Sequence, residues 1–217
     1  MNILDYVFSI KYESIYCKIT ILGIRITTKP KRIPKRYIDK IIKREFEIIK
    51  NKNYEEKDKK LAVLLSAGIG DYFLFRPFLQ HIREYYKDYN ITLIVAVCAG
   101  NYVDIIKNFD VQYTDEIILF PLFTNNFDDK FLIFLKILKY DILISHFYGR
   151  GYPINNMVSK LNADIKIGSF GSLWHESRYG RVATLNNYNK IIFNNVDEDT
   201  ITHELDNNRV FLKNYLI

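Results

Sequence analysis

From residue 61 onward, short apolar runs alternate with amphipathic stretches, and this alternation limits the possible folds more than any other feature. Strands are expected at 61–66, 91–97, 115–120, 141–145 and 165–168. Helices are expected at 71–87, 101–108, 127–139 and 152–162, one between each successive pair of strands. The runs LAVLL, ITLIVAV and DILIS have the continuous apolarity of strands buried on both faces. The pattern predicts an α/β domain built of βαβ units around a parallel sheet. Residues 170–198 are irregular and rich in Asn, Gly, Ser and Arg, and a last amphipathic helix is expected at about 199–215.

The segment before this domain is different. Residues 1–60 hold 16 Lys or Arg against 8 Asp or Glu, whereas the rest of the chain holds 15 against 17. The whole net charge of +6 therefore originates in the first sixty residues. YVFSI and KITILGIRI read as two strands of a hairpin, joined through KYESIY. Ile38, Ile41, Ile42, Phe46 and Ile49 recur at helical spacing with Lys40, Lys43, Arg44 and Glu47 opposite, which predicts a basic amphipathic helix over 37–50. Such a module either meets an acidic surface, with an anionic membrane as the partner through residues 1–60 and nucleic acid not expected, or is a solvated, solubilising face. Packing against its own domain is the competing reading. Cys17 and Cys98 lie far apart and read as apolar packers in a reducing compartment. No apolar run reaches membrane-span length, and the first residues lack the shape of a signal peptide, so a cytoplasmic location is expected, peripheral to the inner membrane if the basic module docks there.

The turn SAGIGD at 66–71 follows the first strand of the domain. Gly68 and Gly70 begin a dinucleotide fingerprint, but Phe73 occupies the place of the third glycine and no acid ends the second strand at VAVCAGN. A P-loop is excluded because no G-K-[ST] follows. What remains is a tight turn that presents Asp71 at the first position of a helix, where the dipole favours a carboxylate. Asp71 is either a helix-capping acid or a base that accepts a proton from an attacking hydroxyl. In the loop after the strand 141–145, Arg150 offers a fork of donors for a phosphate or carboxylate, or is a solvent-exposed arginine. His146 in the same loop is polar lining of that site or a satisfied histidine. Arg76 points partly off the face of Asp71. Trp174, His175, Arg178 and Arg181 populate the long irregular segment, which is an acceptor lid or a surface stretch. The histidines and cysteines form no metal set.

S-x-G-I-G-D followed six residues later by Pro77 resembles the N-terminal domain of the heptosyltransferase-like glycosyltransferases, family 9. Asp115-Glu116 with the apolar run to Phe120 is similar to a family strand, as is Tyr140-Asp141-Ile142-Leu143-Ile144. NMVSKLNADIKIGSF at 156–170 is similar to a further segment, and His203-Glu204 with Asn207 resembles the start of the interdomain helix. Phe73 and Phe75 depart from the family, which tends to smaller aliphatic residues there.

The resemblance implies a Rossmann-like N-terminal half of a GT-B fold and inverting sugar transfer without a metal or organic cofactor. The donor would be a nucleotide sugar such as ADP-heptose. Asp71 matches the general base, and Gly68, Gly70, Arg150 and His146 are expected on the acceptor side. The acceptor would be a lipid-linked or surface glycan, in lipopolysaccharide or capsule biosynthesis. The expected division is a basic module at 1–60, a Rossmann-like acceptor-side domain at 61–198 and an interdomain-type helix at 199–217. The donor-binding half is expected to be missing and the chain inactive alone, as a truncated product, as a chain completed by a separate C-terminal half, or as a domain that only binds acceptor. The alternative is a non-catalytic membrane- or partner-binding module derived from such an enzyme.

Overall fold

The computed structural model describes residues 8–13, 16–22, 24–28, 47–65, 69–97, 103–121, 129–146, 152–169, 185–192 and 204–215. The chain divides into two compact units, Met1–Glu45 and Phe46–Ile217. Residues 47–60, expected with the basic module, thus fall in the larger unit.

The smaller unit contains a three-stranded antiparallel sheet of β1 (Phe8–Glu13), β2 (Tyr16–Ile21) and β3 (Ile24–Thr28). This corrects the expected two-stranded hairpin. KITILGIRI is two strands rather than one, because Ile21 pairs with Ile24 and Leu22 lies in a turn between them. KYESIY is largely strand as well, with Lys11 opposite Lys18 and Glu13 opposite Tyr16. Most of the expected basic helix lies outside the described residues, and its last four positions are a strand.

That strand is β4 (Glu47–Lys50), which joins a seven-stranded sheet in the larger unit. The other strands are β5 (Lys59–Leu65), β6 (Tyr89–Val97), β7 (Glu116–Pro121), β8 (Lys139–Ser145), β9 (Asn162–Ser169) and β10 (Lys190–Ile192). They lie in the order β10-β9-β8-β5-β6-β7-β4, and only β4 runs antiparallel. Numbering the six parallel strands along the chain gives the order 3-2-1-4-5-6, that of a Rossmann sheet. Five helices are described: α1 (Ile69–Tyr85), α2 (Val103–Phe109), α3 (Asp129–Ile137), α4 (Tyr152–Lys160) and α5 (Glu204–Tyr215). None of the described helices is long and apolar enough to cross a membrane.

The core explains the central position of β5. Leu61 through Leu65 are all buried, so both faces of this strand are covered. On one face Leu61, Val63 and Leu65 pack with Tyr72, Phe75, Leu79 and Ile82 of α1 and with Phe211, Leu212 and Tyr215 of α5. The four residues from α1 recur at intervals of three and four, which turns one stripe of the helix inward. At the amino edge of the sheet, Arg83 bonds the Asp115 carboxylate at 2.6 Å and the carbonyls of Tyr113 and Tyr89 at 2.9 and 3.1 Å. The same carboxylate accepts the Ile91 N–H at 2.7 Å, and Asp141 accepts the Lys60 N–H at 2.7 Å. The acids of the two strand motifs therefore hold strand starts together, at the edge opposite to Asp71.

Candidate functional site

The strand order reverses between β5 and β8. After β5 the chain continues to β6 and β7 on one side, and after β8 it continues to β9 and β10 on the other. In open α/β sheets, ligands bind outside the carboxyl ends of the strands at such a reversal. The residues bordering this point come from the first turn of α1 and from the end of β8.

The helix α1 begins at Ile69, so Asp71 is its third residue rather than its first. Its position in the first turn suits an anionic side chain, because the unpaired N–H groups and the dipole both favour negative charge there. The inward stripe starts at Tyr72, and Asp71 faces solvent. Ile69 and Phe73, on another face of the same helix, are also exposed, at 47% and 45%. An accessible carboxylate thus sits in the first turn of α1 at the strand-order reversal. Pro77 inside the helix has no N–H, so the Phe73 carbonyl one turn earlier does not receive its usual helical bond.

Gly70 is expected in the turn and instead lies in the helix. A Cβ placed on it would meet nothing within 4 Å, so neither packing nor the backbone requires glycine there. Its lack of a side chain leaves open space beside Asp71. Gly68 and Arg150 lie outside the described residues, as do Trp174, His175, Arg178, Arg181 and His203. Arg76 is turned away from the site. Its Nε donates to Asp110 Oδ1 at 2.8 Å and its guanidinium lies 5.2 Å from the centre of the Phe109 ring, which ties α1 to the end of α2.

His146 needs the larger correction. It is 4% exposed rather than lining a surface. Its ring stacks on Phe211 at 4.2 Å and lies 6.1 Å from Phe75, and Nε2 is hydrogen-bonded to Asn208 Oδ1. The amide of Asn208 also donates to the Leu74 carbonyl at 3.2 Å. One side chain of α5 therefore links the end of β8 to the second turn of α1. Asn208 is a residue that the sequence reading missed, although a signal was present. It falls on the stripe of Phe211, Leu212 and Tyr215, where a polar residue must satisfy its amide in the core. The neighbouring Asn207, singled out from the sequence, is also buried, and its Nδ2 has no partner among the described residues.

Burial pushes the carboxyl of Asp110 up to about 7. Asp110 is fully buried and Arg76 engages only Oδ1, while Oδ2 has no hydrogen-bond partner among the described residues. Among the described residues no group of three or more His, Cys, Asp or Glu could hold a metal ion. The chemistry this arrangement offers is that of one accessible carboxylate on a rigid helix start, able to accept a proton from an alcohol.

No family model and no curated protein matches the sequence. Among solved structures, the chain is similar to the family 9 glycosyltransferase from Veillonella parvula DSM 2008, with a TM-score of 0.52 and 17% identity over 74% of this chain and 43% of that one. It is also similar to the E. coli heptosyltransferase WaaC with ADP, with a TM-score of 0.48 and 13% identity over 71% of this chain and 46% of that one. The chain spans less than half the length of either. It has the fold of a family 9 glycosyltransferase over that part, a Rossmann-like α/β layer of the GT-B kind.

Proposed function

We propose that the chain is the acceptor-side part of an inverting glycosyltransferase, with Asp71 as the general base. In this reading an acceptor hydroxyl lies against the first turn of α1. Its oxygen attacks the anomeric carbon of a nucleotide sugar while Asp71 takes its proton. The bond from that carbon to the diphosphate breaks, and the nucleoside diphosphate leaves from the opposite face. The observation that carries the reading is the exposed Asp71 carboxylate at the strand-order reversal of a sheet with a family 9 fold.

The surroundings of Asp71 fit this role. Gly70, next to Asp71 in the helix, leaves room for the body of a sugar or lipid-linked acceptor. The buried bonds of Asn208 fix α1 against β8, so the carboxylate is held on a packed element rather than a loop. The donor would be ADP-heptose or another nucleotide sugar, held by a second half that faces this edge. The product would be a lipopolysaccharide, capsule or related surface glycan, made at the inner face of the membrane.

Transfer from a panel of nucleotide sugars to lipid-linked glycan acceptors, with the chain supplied together with a donor-binding half, tests the proposal. Product that requires both parts supports it. Acceptor binding without transfer under any of these conditions would assign the chain to a non-catalytic binding role.

A further inference from the structure

We infer that the tip of the β2–β3 hairpin inserts into a lipid bilayer bearing anionic headgroups. The inference stands apart from the proposed chemistry, because it rests on a different unit and on different residues.

The tip is apolar and open. Ile21 is 45% exposed, Leu22 69%, Ile24 68% and Ile26 49%. Pairing places Ile21 opposite Ile24 and Ile19 opposite Ile26, so one set of register positions is aliphatic. The alternate positions pair Thr20 with Arg25 and Lys18 with Thr27, which brings basic residues in just behind the tip. Folding usually places such aliphatic rows against a core. Here they end at solvent.

Leu22 carries most of the weight. Its φ is 46°, the left-handed region in which a bulky L-residue is a real outlier. Two residues, Leu22 and Gly23, join the strands, and connections of this length ordinarily use Asn, Asp or Gly where φ is positive. Leucine at this place gains neither burial nor an easy backbone from folding. Its apolar side chain is useful only to a surface that the tip meets.

Charge selects the kind of surface. Met1–Glu45 carries 11 Lys or Arg against 4 Asp or Glu. A bilayer with anionic headgroups attracts the basic residues while its hydrocarbon receives the isoleucines and the leucine. A protein partner would more often be met by aromatic anchors, and the four exposed tip residues are all aliphatic.

The test is sedimentation of the full chain with vesicles of phosphatidylcholine, with and without phosphatidylglycerol. The wild type should bind the anionic vesicles preferentially, and less as salt rises. Leu22→Asn suits the backbone better and should leave thermal stability equal or higher, yet bind about tenfold more weakly. Leu22→Phe, which keeps the apolar tip, should retain binding. Equal binding by wild type and Leu22→Asn, or no preference for anionic vesicles, would overturn the inference. So would self-association that Leu22→Asn abolishes in a chain that ignores vesicles, which would assign the tip to a second copy.

Discussion

The imidazole of His146 lies stacked on the ring of Phe211, with centroids 4.2 Å apart and planes 25° from parallel. These residues are the first after β8 and the eighth of α5, and their contact closes the core beneath the carboxyl edge of the sheet. Asn208, one turn before Phe211, adds bonds to His146 and to the Leu74 carbonyl. The position of Asp71 thus depends on the packing of α5 against α1.

His146→Ala should consequently behave as a core deletion. Loss of the stack and of the Asn208 bond is expected to cost about 2–3 kcal/mol in chemical denaturation. Asn208→Ala should cost about 1–2 kcal/mol, because it removes bonds on both sides. Wild-type stability in His146→Ala would show that the ring does not hold the core.

Burial of Asp110 predicts a pH dependence for the fold. Its folded value of about 7 stands above the ordinary value of 3.8, so the folded state binds the proton more tightly than the unfolded chain. The contribution is complete below about pH 4 and is lost as pH rises through about 7, with a slope of at most about 1.4 kcal/mol per pH unit. Asp110→Asn should flatten the stability profile across that window. An unchanged profile would remove Asp110 as its source.

Gly70→Ala separates stability from function. With open space around the added methyl group, alanine should stabilise the start of α1 by up to about 0.5–1 kcal/mol. If an acceptor occupies that space, the same variant should show a raised KM for acceptor. Higher stability with unaltered acceptor kinetics would place the acceptor elsewhere.

The parts of the fold legible in the sequence are those set by local pattern. LAVLL, ITLIVAV and DILIS announce buried strands, and they form β5, β6 and β8 with small shifts at their ends. β4 and β10 were not legible. EIIK continues a helical spacing of isoleucines, and pairing of Glu47–Lys50 with β7 overrides that local preference. KII is three residues long and gains strand geometry from β9. The third strand of the smaller unit was hidden because Leu22 stands before Gly23 where Asn or Asp is usual in a two-residue turn. The place of Asp71 in the first turn of α1 was legible, to within two residues, because a strand, a small-residue turn and an acid are contiguous. The burial of His146 was not, because it is set by Phe211 and Asn208, more than sixty residues later in the chain.

The most direct measurement is the turnover of Asp71→Asn beside wild type, each supplied with a donor-binding half and a nucleotide sugar. Loss of the base should reduce kcat about 10²–10⁴-fold while the unfolding midpoint stays near that of wild type. Equal turnover by the two proteins would contradict the assignment and leave Asp71 as an ordinary acid at the start of a helix.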